Sequence, residues 1–138
     1  MPMGKKSLQF KVYSLKSMEI FQFEKLIAWR KAKELALAIY PLIAKFPQHE
    51  QYALSSQLKR AVISIPSNVA EGSGRASMKE KNHFLEIAFG SLTETYCQLL
   101  IATELGYLAA EELESVQPLF KEVARLISGL RNSYSPKP

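Results

Sequence analysis

The sequence contains no aspartate, one cysteine and two histidines, and these scarcities exclude several kinds of site. All thirteen acidic residues are glutamates, so no Ser-His-Asp triad exists, and no pair of histidines has the spacing of a zinc protease. A zinc site would have to combine His49, His83, Cys97 and scattered glutamates, so we predict no metal and no cofactor. Cys97 lies inside a predicted helix, where we expect a buried, unreactive thiol.

Long apolar runs are also missing. No stretch approaches the roughly 20 residues that a membrane span requires, and the lysine-containing N-terminus does not resemble a secretory signal. We therefore predict a cytoplasmic protein that does not bind membranes. The chain has 138 residues, of which 47% are hydrophobic. This length and composition are typical of one globular domain rather than two domains or a disordered chain.

The net charge of +5 is concentrated at one end of the chain. Residues 1–17 contain four lysines and no acid, so the other 121 residues together carry only +1. A basic tail is more often a solvated arm than a specific binding site, and Met18 is a candidate for an alternative start. We predict a basic, flexible extension over residues 1–20, a helical bundle over residues 21–132 and a frayed tail over residues 133–138.

Apolar residues recur at steps of three and four, which is the period of a helix face. The pattern predicts four helices: Phe23–Phe46, Glu50–Gly72, Met78–Leu105 and Ala109–Arg131. Pro41 and Pro118 predict bends near Leu37 and Glu114. No run alternates as a strand would, and short connections place sequential helices antiparallel. The sequence therefore predicts an all-α, antiparallel up-down-up-down four-helix bundle.

The third predicted helix is apolar around more than one face, which predicts burial on more than one side. In a bundle of four helices this surplus indicates a subunit interface. Gly90, in the middle of the helix, costs up to about 1 kcal/mol against alanine and predicts close packing there. Ser77 and Glu80 predict a capping box at its start. Its glutamates lack the Glu-x-x-His pairs of di-iron bundles, so a metal core is disfavoured.

The second predicted helix is interrupted by the segment RAVISIPSNVAEGSGR, residues 60–75. Pro66 lies inside an apolar run, and Asn68 falls on the side that should be buried. Catalysis is one interpretation, but the serines here have no adjacent base. The other interpretation is structural: a hydrogen-bonded Asn68 fixes the register of the helices, and Glu71 forms a surface ion pair with Arg75. We favour the structural interpretation.

Basic residues cluster in and after the second helix, where they are candidates for nucleic-acid binding. The five residues are Lys59, Arg60, Arg75, Lys79 and Lys81. Basic side chains near a helix start can contact phosphates, although most charge runs are ordinary solvated faces. No zinc-finger, RNA-recognition or helix-turn-helix signature is present, so binding would follow the backbone of the nucleic acid rather than its sequence.

Three blocks resemble a four-helix-bundle family named after proteins encoded within 23S rRNA intervening sequences, the S23 ribosomal-like family. They read FEKLIAWRKAKELA, KFPQHEQYALSSQLKRAVISIPSNVAEGSGR and FLEIAFGSLTETYCQLLIATELGYL. The resemblance implies a homopentameric ring, with no catalytic role. It also implies a distant relationship to the accessory protein of diversity-generating retroelements, a basic pentamer that binds nucleic acid. The motif residues that it identifies are Pro66, Asn68, Glu71, Gly72, Arg75, Gly90 and Ser91.

These observations predict a non-enzymatic oligomeric module that binds RNA or DNA backbone through the basic cluster. The alternative is a scaffold or assembly module that binds only proteins, which would leave a large apolar patch exposed after the ring has formed. The predicted partners are further copies of the chain, RNA or DNA, and an unidentified protein. No residue is predicted to be catalytic.

Overall fold

The computed structural model describes residues 19–135, within which all regular structure is helical. Residues 1–18 and 136–138 lie outside the described part, and with them most of the predicted N-terminal extension. Two 3₁₀ turns precede the first and second helices, at Gln22–Lys25 and Gln48–Glu50. The four helices are α1 (Ile27–Ile43), α2 (Leu54–Ser73), α3 (Met78–Glu104) and α4 (Ala110–Tyr134).

The four helices form a bundle in which each helix packs against two others. α1 contacts α2 and α4, and α3 also contacts α2 and α4. The interior is aliphatic, as the periodicity predicted, and its fully buried side chains include Leu35, Ile39, Leu58, Val62, Ile65, Val69, Leu85, Leu99, Val123 and Ile127. The predicted bundle of four helices is thereby confirmed for the described residues. None of their helices is both long and apolar enough to cross a membrane.

α1 begins at Ile27, four residues later than predicted. The preceding residues form the separate 3₁₀ turn Gln22–Lys25, and Leu26 has extended backbone angles that divide this turn from the helix. Phe23 nevertheless packs edge-on against Trp29, with ring centroids 4.9 Å apart. This contact explains why the apolar spacing continues across a break in the helix.

The start of the described chain is bonded to the bundle. The Glu24 carboxylate accepts hydrogen bonds from the backbone N–H groups of Phe21 and Ile20, at 2.9 and 2.8 Å. These bonds hold the pKa of Glu24 below its ordinary value. Arg30 donates to the Glu24 carbonyl at 2.8 Å and pairs with Glu19 at 3.2 Å. The segment before α1 therefore has a defined position.

α2 begins at Leu54, whereas the sequence predicted a start near Glu50. Glu50 instead closes the 3₁₀ turn and accepts a hydrogen bond of 2.8 Å from the Tyr107 hydroxyl. This bond raises the pKa of Tyr107. The Tyr107 ring also packs on Phe46, with centroids 5.5 Å apart. The α1–α2 loop is therefore held against the α3–α4 loop, and that contact replaces the first predicted turn of α2.

Three prolines lie inside helices without ending them. They are Pro41 in α1, Pro66 in α2 and Pro118 in α4. α4 also continues to Tyr134, past the end predicted at Arg131, so Ser133 and Tyr134, which were assigned to the frayed tail, are helical. The bends attributed to Pro41 and Pro118 stay predictions.

Candidate functional site

The segment around Pro66 joins α2 to α3 through a small polar network. The Asn68 side-chain amide donates to both the carbonyl and the hydroxyl of Ser64, each at 2.8 Å. The Ser91 hydroxyl of α3 donates to the same Ser64 hydroxyl at 2.9 Å. Asn68 is half-buried, and the core position is taken by its neighbour Val69. The predicted hydrogen bonding of Asn68 is confirmed, but its predicted burial in the core is wrong. The buried row of α2 contains the next residue, Val69, instead.

The remaining side chains of this segment have structural contacts. Glu71 and Arg75 form the predicted ion pair at 2.5 Å, which contributes a few tenths of a kcal/mol because both side chains are well exposed. The Arg75 guanidinium also lies 4.6 Å from the centre of the Phe84 ring. Among residues 19–135, no imidazole or carboxylate is hydrogen-bonded to Ser64 or Ser67. The structural interpretation of the segment therefore agrees with its contacts.

Gly72 lies at a close contact between α2 and α3. A Cβ atom at this position would be 3.1 Å from the Lys81 carbonyl oxygen and 3.1 Å from the Phe84 Cβ. Such distances are shorter than ordinary van der Waals contact, and one of the two atoms belongs to the rigid helix backbone. A side chain at this position would displace one of these neighbours by a few tenths of an ångström, and glycine avoids that displacement.

Gly90 has the opposite environment. It is exposed, and a Cβ atom at this position would meet nothing within 4 Å. The close packing predicted at Gly90 is therefore absent among residues 19–135, although the next residue, Ser91, is buried against α2. The reason is again helical phase, because consecutive residues are turned by about 100° around a helix.

Gly90 belongs to an exposed stripe that we call the α3 outer face. Its apolar side chains are open to solvent, with 39% of Ile87, 47% of Ile101 and 54% of Leu105 exposed. Cys97 is exposed in the same stripe, so the predicted burial of its thiol is wrong. The predicted surplus of apolar surface on this helix is present. The members of the face, at steps of three and four residues, are Ile87, Gly90, Glu94, Cys97, Ile101 and Leu105.

The basic residues predicted to bind nucleic acid form two groups rather than one cluster. Lys59 and Arg60 lie in the first half of α2, and the Lys59 ammonium is 5.8 Å from the centre of the Tyr40 ring. Arg75, Lys79 and Lys81 surround the α2–α3 connection. Arg75 follows Arg60 by 15 positions, which corresponds to about 20 Å along a helix, so the two groups are separate.

The second group combines structural and exposed cations. The Lys81 ammonium donates to the Ser73 carbonyl at 2.9 Å and lies over the Tyr134 ring, so it fastens the α2–α3 turn to α4. Lys79 is exposed, and it forms no salt bridge with any residue of the described chain. The start of α3 beside it is capped by Ser77, whose hydroxyl accepts from the Glu80 N–H at 3.1 Å. The serine half of the predicted capping box is thus confirmed.

Charge is separated along the described chain. It contains thirteen basic and thirteen acidic residues, so its net charge is zero. Residues 19–81 have ten basic and six acidic residues, giving +4, whereas residues 82–120 have six glutamates and no lysine or arginine, giving −6. Residues 121–135 have three basic residues and one acid, giving +2. Most of α3 and the start of α4 are therefore acidic, and the helices before them are basic.

A second surface, which we call the α1–α2 face, interleaves lysines with aromatic and aliphatic side chains. The Lys33 ammonium is 4.8 Å from the Trp29 ring centre, and Lys59 covers Tyr40. Leu37 is 68% exposed and Ile63 is 44% exposed. This face is not among the surfaces predicted from the sequence, although the spacing of its side chains is visible there. Its members are Trp29, Lys33, Leu37 and Tyr40 on α1, with Lys59 and Ile63 on α2.

The residues considered for a metal site are dispersed. His49 lies 3.4 Å from the Tyr107 hydroxyl in the loops, whereas His83 and Cys97 lie on α3. Within the described range, no three histidine, cysteine or glutamate side chains come together as a possible metal site.

Two comparisons identify the chain's relatives. The model of the family described as 23S rRNA-intervening sequence protein matches residues 24–129. A crystal structure of a protein of unknown function from the S23 ribosomal protein family of Bacteroides thetaiotaomicron has a similar fold, with a TM-score of 0.70 at 23% identity. The similarity covers 77% of this chain and 96% of that one. No curated protein matches. The family match confirms the resemblance carried by the SIPSNVAEG and GSLTE blocks: the chain belongs to the family of 23S rRNA-intervening sequence proteins.

Proposed function

We propose that the protein is a non-enzymatic, self-assembling helical module whose assembled form binds the backbone of RNA or DNA. The assembly is the homopentameric ring that the family resemblance implies. Each copy has antiparallel up-down-up-down topology. Two contacts support this topology, because Lys45 just after α1 pairs with Glu112 near the start of α4, and Glu86 in α3 pairs with Arg131 near the end of α4.

The observation that carries the binding proposal is the grouping of Arg75, Lys79 and Lys81 at one end of the bundle. Lysine, arginine and the N-termini of helices are the usual partners of phosphate oxygens, and α3 begins within this group. Glu71 and Glu80 lie nearby and lower the local positive charge. A single copy therefore offers only a modest patch. Five copies in a ring would bind multivalently.

A filter-binding titration of the full-length protein with a structured RNA, repeated with duplex DNA at rising salt, tests the proposal. The affinity should fall linearly with salt on logarithmic axes, because binding releases counterions from the phosphates. Lys79→Glu should weaken binding and reduce the salt slope by about 1 per contacting copy. Lys121→Glu is the matched control, since it reverses one exposed lysine on α4 and should leave both nearly unchanged. Absence of salt-sensitive binding at low salt would overturn the proposal.

A second candidate function is a protein scaffold that binds no nucleic acid. The exposed apolar side chains of the α3 outer face favour it, because contiguous apolar surface usually marks a protein contact. The same titration separates the two candidates. An intact assembly that fails to bind RNA and DNA at low salt would support the scaffold, whereas salt-sensitive binding that depends on Lys79 would support the nucleic-acid module.

A further inference from the structure

The α3 outer face and the α1–α2 face are complementary in charge. The α3 outer face contains Glu94, and exposed Glu86 and Glu104 flank it, whereas residues 82–105 contain no lysine or arginine. The α1–α2 face contains Lys33 and Lys59. The helix rows that form it, at positions 29, 33, 37, 40 and 44 and at positions 56, 59, 63, 67 and 70, contain no acid. One face is therefore acidic and the other is basic.

The two faces are also both apolar, and neither is covered within the described chain. Ile87, Ile101 and Leu105 are exposed on one face, and Leu37 and Ile63 are exposed on the other. Surface of this kind is unfavourable in water when it is contiguous, and burying it is the main favourable contribution to association. Each face therefore has the composition of a protein contact, in which exposed apolar side chains lie among a few charged ones.

We infer that the two faces bind each other between copies, so that the α3 outer face of one copy lies on the α1–α2 face of the next. The inference rests on the self-assembly in the proposed function and names the surfaces that form it. Because the contact joins two different surfaces, it is heterologous and can repeat around a closed ring. Lys59 is then part of the contact between copies, which leaves Arg75, Lys79 and Lys81 for nucleic acid.

The charges argue against either face binding a second copy of itself. Two α3 outer faces would bring glutamates against glutamates, and two α1–α2 faces would bring lysines against lysines. Like charges brought together at an interface are strongly unfavourable.

The Glu94 carboxylate has a suitable arrangement for an ion pair with a lysine of the next copy. Its Oε1 atom accepts from the side chains of Gln98 and Gln57, at 3.0 and 3.5 Å, and its Oε2 atom bonds no side chain of residues 19–135.

Gly90 fits the same contact. The absence of a side chain leaves the helix backbone open at this point of the α3 outer face, because a Cβ atom there would meet nothing within 4 Å among the described residues. Leu37 projects from the α1–α2 face with 68% of its surface exposed. A side chain of this size can approach the α3 backbone at Gly90. The contact between copies therefore accounts for a helix-interior glycine that the contacts within one copy leave unexplained.

Charge reversal on each face tests the inference. We expect Glu94→Lys combined with Glu104→Lys to weaken the assembly at least about tenfold, and Lys33→Glu combined with Lys59→Glu to do the same. Uniting all four substitutions in one chain reverses both faces and should restore the assembly. The control is Lys121→Glu with Arg125→Glu, which reverses two exposed basic residues on α4. The measurement is sedimentation velocity at 0.15 M salt on full-length chains, with circular dichroism to verify that each variant is helical.

The outcomes separate this inference from the proposed function. If the wild-type chain is a monomer, both fail. If the wild type assembles and Lys33→Glu with Lys59→Glu has no effect, the heterologous contact is wrong but self-assembly stands. If both double variants dissociate and the variant with all four substitutions also stays dissociated, the two faces do not contact each other, and the inference again fails. Dissociation of both face variants and recovery in the four-fold variant, with an unaffected control, is the expected result.

Discussion

Gly72 and Gly90 are both among the residues that the family resemblance identifies as its motif, yet the structure surrounds them in opposite ways. A side chain at Gly72 would be 3.1 Å from backbone and side-chain atoms of α3, whereas a side chain at Gly90 would meet nothing within 4 Å. The first glycine is explained by contacts within one copy. The second has no such explanation, although it costs helix stability. α3 is therefore completed by its own chain on the side facing α2, and its outer face is the surface that we infer to bind another copy.

The largest effect on stability is expected at Gly72. Gly72→Val should lower the free energy of unfolding by about 1–3 kcal/mol, because the added side chain is forced against the Lys81 carbonyl. The loss arises within one copy, so urea denaturation should show the same difference at every protein concentration. A variant as stable as the wild type would show that α2 and α3 move apart without cost, and that Gly72 is not required by their approach.

Gly90→Val is the matched substitution on the outer face. Valine and glycine differ by only a few tenths of a kcal/mol in helix propensity, and the space around Gly90 is open, so the isolated copy should keep its stability. Association should weaken about tenfold, because the valine side chain occupies the space that Leu37 of the next copy would take. Sedimentation velocity over a range of protein concentrations measures this effect. Unchanged association would remove Gly90 from the interface.

The polar network on the inner side of α3 should have a smaller effect. Asn68→Ala removes two hydrogen bonds to Ser64 and should cost about 1 kcal/mol of stability. Ser67→Ala is the control, since Ser67 is exposed and forms no side-chain hydrogen bond with any described residue, and it should change stability by less than about 0.5 kcal/mol. Thermal unfolding of both variants gives the comparison. Equal melting temperatures would mean that the network does not stabilise the α2–α3 contact.

The smallest effect concerns a contact that involves neither face of α3. Lys45 and the Ala109 N–H both bond the Glu112 carboxylate, and they hold its pKa below the ordinary value. A depressed pKa in the folded state gives stability that is present above the unfolded pKa and is lost as pH falls through the folded pKa. Glu112→Gln should therefore reduce the acid sensitivity of unfolding below about pH 4. An unchanged pH profile would contradict this assignment.

The bundle could be predicted because its determinants are local. Apolar spacing gave the four helices, and the Ser77 cap and the Glu71–Arg75 pair follow from neighbours three or four residues apart. The start of α2 could not be predicted in this way. Glu50 leaves the helix to bond Tyr107, which is 57 residues further along the chain. A contact over such a distance has no signature in the local sequence.

The orientation of α3 was the harder part of the prediction. The helix is apolar around most of its circumference, so its sequence does not distinguish the row that faces the core from the row that faces outward. Cys97 was therefore expected to be buried and Gly90 to be closely packed, and both lie on the exposed side. The α1–α2 face was missed for a related reason, since lysines beside Trp29 and Tyr40 resemble the ordinary edge of an amphipathic helix.

The central claim, that the outer face of α3 is completed by another copy, is tested most directly by the mass of the wild-type protein in solution. The measurement is light scattering on the full-length chain, after nuclease treatment and separation by size, at 0.15 M salt. One copy has a mass of 15.6 kDa. We expect an assembly of several copies, and the pentamer that the family resemblance implies has five times this mass, about 78 kDa. A mass of 15.6 kDa at every protein concentration would contradict the claim that another copy covers the outer face of α3.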